Sequence, residues 1–549
     1  MPTIAELYQQ GRNEELWQMS CGFTGYSLEE FMAIQKRLMQ EQLELLNRCT
    51  LGEKVMRGAK PRTIEEFREQ APITSYADYL PELMDKREDI LPAKPLTWVH
   101  TSGKSGEYAC KWLPITEKYA NELSILMYAL GNLANCQDWG DTSHFPYNPK
   151  LVYTVAPPPY MSGTMANFLA LQSPVRYIPS LKEAESLSFE DRIALGFKQA
   201  LSTGIEYFFG LSLVLVAVGE KFSQSSGKTD IRPLLAHPKA LWRLAQGKIK
   251  SKLAGRPMLP KDLWAVRGII SSGLDSTVYR EKIKNLWGRY PLDVYASTEQ
   301  GIVATQTWDH DSMTFVPNMN FLEFIPEDER LKWLMDQSYQ PKTLLLDEVK
   351  AGECYEIVTT GFHGGATIRY KVGDIIKITS LRNERLGIDI PQMVFERRAD
   401  DLIDFVVTRL TEKTIWQAIE NSAIAYEDWV AYKEAGEAVL RLFIEPKEGY
   451  HASEAEIAEA VYPWLIKPDD DSYTVSRSHE DLEDMIDFKV KVTLLPRGSF
   501  ANYTATRRAL GAELAHLKPP HINPSGEALS LLVAPSETEI NMDELRIRS

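Results

Sequence analysis

The sequence predicts an α/β protein of two domains: a large N-terminal domain of β-sheets and helices, residues 1–398, and a smaller C-terminal α+β domain, residues 399–549. Three observations carry this. The chain has 549 residues, more than one compact core accommodates. Between Leu91 and Val394 short β-rich runs alternate with helical patterns, the signature of α/β architecture. After Arg398 the units shorten, and what remains has an ordinary domain size.

Residues 27–56 place Leu28, Phe31, Met32, Ile34, Leu38, Leu43 and Leu46 near helical spacing, so this stretch reads as helix. Thr63, followed by Glu65 and Glu66, reads as the N-cap of a second helix. Farther along, the β-rich runs are 151–155, 266–270, 321–325 and 355–359. The helical runs are 117–130, 191–201 and 277–287. Residues 223–230 are polar and contain Gly and Ser, a loop composition. In the C-terminal part 411–422 and 452–466 read as helices, and 438–444 and 488–495 as strands.

Composition excludes several classes. Hydrophobic residues at 44% and charged residues at 25% are those of a globular protein rather than a disordered one. The net charge of −15, with no Lys/Arg-rich run, speaks against a nucleic-acid partner. Five scattered cysteines without a CxxC pair speak against a zinc module or a disulfide framework. The most apolar stretch, 207–218, falls short of the roughly 20 residues of a bilayer span, so no membrane partner is expected. With no signal-like N-terminus, a cytoplasmic protein is expected.

Four segments carry candidate chemistry. His100-Thr-Ser-Gly-Lys-Ser-Gly-Glu-Tyr108 is small and polar and follows β-like sequence; such a loop turns backbone N–H groups and hydroxyls onto phosphates, though the same composition also makes plain turns. It is no P-loop, since Trp98 stands where the first Gly would be. Tyr295-Ala-Ser-Thr-Glu299 is either a strand end or a site with Tyr295 against a base, Thr298 on a phosphate and Glu299 on Mg²⁺, an ion held by few carboxylates plus phosphate oxygens and waters. Arg369-Tyr-Lys-Val-Gly-Asp374 is either a hairpin Gly-Asp or a ribose-binding carboxylate. Residues 395–404 read alone as a solvated linker.

In their order and spacing these segments resemble the adenylate-forming superfamily, and more closely the GH3 acyl-acid amido synthetases. Thr101-Ser-Gly-Lys-Ser105, Tyr295-Ala-Ser-Thr-Glu299 and Tyr370-Lys-Val-Gly-Asp374 stand where that family has its three nucleotide motifs, with Lys104 in place of a usual Thr. Lys111-Trp-Leu-Pro-Ile-Thr116, Phe321-Leu-Glu-Phe-Ile-Pro326 and Leu517-Lys-Pro-Pro520 resemble flanking family text.

The resemblance implies ATP and Mg²⁺ as cofactors. Phosphates would lie on Ser102, Lys104 and Ser105, the adenine would border Ser271, Ser272 and Gly273 with Tyr295 against the base, and Thr101, Gly103, Ala296 and Ser297 would also bind the nucleotide. It implies the α-phosphate on Thr298, the metal on Glu299 and the ribose on Asp374 and Arg398. Asp400 would be the hinge of a C-terminal lid that brings Lys518 to the reaction; read alone, Lys518 is a solvated lysine before two prolines. Tyr160, Met161 and Met165 stand where the family has its substrate loop, although such residues at such spacing are more often core than pocket.

The implied reaction activates a carboxylic acid as an acyl-adenylate and transfers the acyl group to an amine such as an amino acid. An acyl-CoA ligase would share every nucleotide motif, and a non-catalytic nucleotide-binding protein is a third reading, raised by Lys104 and Lys518.

Overall fold

Alternating strand and helix between residues 91 and 398 build one long sheet. The computed structural model describes residues 2–101, 110–143, 145–225, 237–272, 276–336, 338–399, 402–404, 409–434, 439–466, 488–509 and 518–533. The chain divides into two units, Met1–Glu396 and Arg397–Ser549.

In the first unit the strands are β1 (Pro95–His100), β2 (Trp112–Thr116), β3 (Lys150–Tyr153), β4 (Arg176–Ile178), β5 (Tyr207–Leu211), β6 (Gly268–Ser272), β7 (Leu292–Ser297), β8 (Gly301–Thr305), β9 (Met313–Phe315), β10 (Asn320–Pro326), β11 (Cys354–Gly361), β12 (Tyr370–Ser380) and β13 (Gln392–Arg398). Strands β1 and β2 form a hairpin, and the other eleven form one sheet in the order β10-β11-β12-β13-β9-β8-β7-β6-β5-β3-β4. From β4 to β7 the pairings are parallel, and β7–β8 and β8–β9 are antiparallel. Strand β7 is therefore where the sheet changes character.

Helices cover the sheet because their apolar stripes need burial. Helix α1 (Leu28–Leu46) starts at a capping box of Ser27 and Glu30 and buries Phe31, Met32, Leu38, Met39, Leu43 and Leu46. On the same face the Gln35 amide donates to the Pro317 and Asn320 carbonyls and accepts from the Leu322 N–H, so a polar residue in the stripe locks helix to strand β10. The helix expected over 27–56 is two: α1 stops at Leu46, and Thr50–Val55 restarts with the Cys49 sulfur accepting from Gly52 N–H.

Helices α2 (Glu117–Leu133), α3 (Met161–Gln172), α4 (Phe189–Thr203) and α5 (Pro238–Leu253) follow. Thr63 caps its helix as expected. Of the loop expected over 223–230, residues 223–225 belong to a helix instead, and 226–230 lie outside the described residues.

The second unit is α+β. Hairpin β14 (Leu402–Asp404) and β15 (Arg409–Thr411) leads into α6 (Glu412–Asn421), capped by Thr411. Strands β16 (Tyr426–Lys433), β17 (Val439–Pro446) and β18 (Lys489–Leu494) form a sheet, antiparallel between the first two and parallel between the last two. Its core gathers Ile403, Leu410, Ile415, Trp429, Leu442 and Ile457.

Candidate functional site

Three of the singled-out segments, far apart in sequence, meet in the first unit. The hairpin β1–β2 closes between Thr101 and Lys111: the Thr101 N–H donates to the Lys111 carbonyl, and the Thr101 hydroxyl accepts from the Lys111 N–H, each at 3.0 Å. The loop between them, with Ser102, Gly103, Lys104 and Ser105, lies outside the described residues. Tyr160 joins the same corner, because the His100 N–H donates to the Pro159 carbonyl and the Tyr160 ring packs edge-on against His100 at 4.3 Å. Tyr160 sits just before α3, whereas Met161 and Met165 within α3 are buried in the main core.

Lys111 aims into this corner. Its Nζ lies 3.9 Å from the Glu299 carboxylate and 3.4 Å from the Tyr370 hydroxyl, with the Tyr76 ring 5.8 Å away. The ammonium and carboxylate are largely withdrawn from water, 18% and 10% exposed, so each lowers the cost of burying the other. Thr298 and Glu299 line a small open recess with Leu113, Thr116, Tyr119 and Thr367. The turn that presents them ends at Gly301, with φ +64; a Cβ there would stand 2.3 Å from the Tyr119 hydroxyl, so the position admits only glycine.

The second meeting point is Tyr295 with Asp374. The Tyr295 hydroxyl donates to Asp374 Oδ2 at 2.8 Å, both residues buried, with Phe395 beside the Tyr295 ring. Asp374 is turned inward by a bulge rather than by a hairpin turn. The pairing of β12 with β11 shifts register between Lys371 and Ile375, and Gly373 within the shift has φ +81.

Elsewhere, the Ser271 side chain is fully buried and hydrogen-bonded to Ser212, while Ser297 accepts from the Gln300 N–H at 3.2 Å and Ala296 is exposed. Ser272 ends β6 and Arg398 ends β13; their side chains, with Gly273 and Asp400, lie outside the described residues.

In the second unit Lys518 is anchored. Its Nζ lies 2.8 Å from Asp428 Oδ2 on β16, with the side chain still 63% exposed. Directly after Pro519-Pro520, His521 stands between Asp428 at 2.8 Å and Glu412 at 2.5 Å, stacked on Trp429 at 4.5 Å. Both ring nitrogens face carboxylates, which only accept, so the ring is an imidazolium donating from both. Burial works against that charge, but the hydrogen bonds to Asp428 and Glu412 outweigh it and push the His521 pKa up to about 9. The strap carrying it pairs with β16, the Ala431 N–H donating to the His521 carbonyl and the Asn523 N–H to the Ala431 carbonyl.

Lys111, Asp428 and His521 were not singled out from the sequence. Lys111 had a signal, its place directly after the polar loop. His521 had none, because its partners are 93 and 109 residues away.

The GH3 family N-terminal domain matches residues 26–199, and the GH3 family central domain matches residues 313–398. A 4-substituted benzoates-glutamate ligase of Arabidopsis thaliana is 26% identical over 40% of this chain and 38% of its own length. A jasmonoyl-L-amino acid synthetase of Nicotiana attenuata is 32% identical over 30% of this chain and 27% of its own. The matched stretches thus span well under two thirds of these relatives.

Among solved structures, a GH3.15 acyl acid amido synthetase in complex with 2,4-DB superposes with a TM-score of 0.62 at 14% identity, covering 91% of this chain and 93% of that one. A 2-hydroxyisobutyryl-CoA ligase in its postadenylation state gives a TM-score of 0.60 at 14% identity, covering 94% and 93%. These two likenesses establish the fold.

Proposed function

The chain belongs to the GH3 family, and on that premise we propose that it is an ATP-dependent ligase that adenylates a carboxylic acid and passes the acyl group to the amine of an amino acid. The observation that carries the reading is the convergence of Lys111, Glu299 and Tyr370, with Tyr295 joined to Asp374 beside them.

The acid's carboxylate attacks the α-phosphorus of ATP and pyrophosphate leaves. The amine nitrogen then attacks the acyl carbon, AMP leaves, and the amine gives up a proton. The first step joins two anions, so the protein must supply positive charge and alignment. Lys111 offers the charge, and the hydroxyls of Thr101 and Thr298 offer donors to phosphate oxygens. Asp374, held by the Tyr295 hydroxyl, offers carboxylate oxygens to the ribose hydroxyls. Lys104 and Ser105 are proposed to hold phosphates with Ser102.

Glu299 fits as the protein's ligand to Mg²⁺, since one carboxylate beside a phosphate site suits an ion that keeps waters and substrate oxygens. Among the described residues no three His, Cys, Asp or Glu side chains form a protein-only cage. When bound, the ion would supply Lewis-acid stabilisation of phosphate charge. The second unit is proposed as a lid pivoting at Asp400, letting one adenylate meet two sets of groups in turn. Lys518, released from Asp428, would serve the adenylating half.

The test is product analysis. Purified protein with ATP, Mg²⁺ and a panel of aromatic and aliphatic acids, supplied with amino acids or with coenzyme A, is read by mass. An amide with AMP release supports the proposal; a thioester moves the chain to the acyl-CoA ligases. Nucleotide binding without any acyl product leaves a non-catalytic binder.

A further inference from the structure

Helix α5 carries an apolar face that packs on no described element. Its inner face is Ala240, Leu244, Gly247 and Ser251, all buried. Gly247 lets the helix sit close, since a Cβ there would come within 2.6 Å of Leu263. On the side next to α4, the Arg243 guanidinium donates to the Ala200 and Leu201 carbonyls.

Trp242, Ile249 and Leu253 lie at spacings of seven and four residues, which at 100° per residue puts them on one line opposite the inner face. They are 65%, 59% and 84% exposed. Lys239 and Lys250 border this crest on one side, and Lys248 and Lys252 on the other, all exposed. Between residues 239 and 261 there are seven Lys or Arg and no Asp or Glu, in a chain whose net charge is −15.

We propose that α5 is a docking element for an anionic phospholipid surface, on which Trp242, Ile249 and Leu253 enter the headgroup layer while the flanking lysines meet lipid phosphates. A tryptophan-bearing apolar crest with lysines on both flanks suits a helix lying in the plane of a bilayer interface. No helix of the described residues is long and apolar enough to cross a membrane, and none is needed for this attachment.

A second copy of the chain is a poor occupant, because a two-fold pairing of the crest sets lysines against lysines. A protein partner is poor as well. Three projecting side chains fall short of the roughly 20–30 residues and about 800 Å² per partner of a stable interface. A flat anionic surface needs only shallow insertion and charge. Such attachment would place the enzyme where lipophilic acids partition.

Co-sedimentation with vesicles tests this, using phosphatidylcholine alone and an equal mixture of phosphatidylcholine and phosphatidylglycerol. The full chain should sediment with the mixed vesicles, at least tenfold less with phosphatidylcholine alone, and less as NaCl rises. The double variant W242S/L253S and the variant K248Q/K250Q, with unchanged circular dichroism and melting, should each lose binding at least fivefold. Absence of binding, equal binding to both compositions, or unchanged binding by both variants overturns the proposal. So does concentration-dependent self-association, read by light scattering, that W242S abolishes, because the crest would then belong to a second copy. Stoichiometric capture of an acidic protein in preference to the vesicles overturns it too, assigning the crest to that partner.

Discussion

Each unit buries an aspartate, and the two are treated in opposite ways. Asp374 in the first unit is partnered by the phenol of Tyr295, which donates a hydrogen bond and brings no charge. Asp428 in the second unit lies between two cations, Lys518 on one oxygen and the His521 imidazolium on the other. The first arrangement sets a carboxylate, oriented by a phenol, at the place where β12 bulges inward, the position proposed to meet a ribose. The second cancels the charge and ties a strap to a strand, which is what holding a lysine in readiness requires. The two aspartates thus differ in the partners described for them, a phenol for Asp374 and two cations for Asp428.

The sharpest way to break this comparison is to remove the charge proposed to face the metal. Glu299→Gln should lower adenylate formation by a hundredfold or more, since metal-borne charge stabilisation is worth several kcal/mol. Circular dichroism should not change, although Lys111 loses its ionic neighbour.

Next in size is Asp374→Ala. Hydrogen bonds to a charged acceptor are worth about 1.5–3 kcal/mol each, so ATP affinity should fall tenfold or more by calorimetry. Because the Tyr295 hydroxyl loses its acceptor, the melting temperature should also drop. Tyr295→Phe separates the two effects: stability falls by about 1 kcal/mol while nucleotide affinity falls far less than in Asp374→Ala. Equal losses of affinity in both variants would mean that the phenol, not the carboxylate, faces the nucleotide.

The second unit is probed by pH. The ordinary histidine pKa is near 6.5, and that of His521 is raised to about 9. Its contribution to stability is therefore fully present below about pH 6.5 and lost as pH rises through about 9. Asp428 is held below the usual carboxylate range: burial opposes this, but the bonds to His521 and Lys518 prevail. Its share is lost as pH falls through that lowered pKa. Denaturant melts of the full chain should show the second unit weakening at both extremes. His521→Gln should flatten the alkaline limb and cost about 1–3 kcal/mol at neutral pH, since buried Asp428 and half-buried Glu412 lose a shared cation. An unchanged alkaline limb would mean the ring is neutral.

The smallest expected effect is Thr101→Val. It removes the acceptor for the Lys111 N–H and should cost about 1 kcal/mol, with a modest rise in the KM for ATP.

Local pattern made much of this molecule legible. The strand expected at 321–325 is Asn320–Pro326, and the helix expected at 117–130 is Glu117–Leu133. In the strand burial is continuous from Asn320 to Ile325, so its apolar run rather than an alternation marked it, and the helix buries a wide apolar face. The break after Leu46 was harder to read, because Leu51 and Val55 continue an apolar pattern after the helix has stopped.

The site shows the same divide. Tyr295, Glu299 and Asp374 stand in short contiguous motifs and could be named. Lys111 acquires its meaning from Tyr370, 259 residues on, and His521 from Glu412 and Asp428; such pairings are set by tertiary packing, which no local period encodes. Gly373 announced a tight turn, but only the strand pairing makes it a bulge.

Isotope exchange between pyrophosphate and ATP, measured with and without each candidate acid, tests the central claim most directly. Adenylation predicts exchange that requires an acid and Mg²⁺, that proceeds without any amine, and that Glu299→Gln reduces at least a hundredfold. A folded chain that binds ATP but catalyses no acid-dependent exchange, or one whose exchange is untouched by Glu299→Gln, would contradict it.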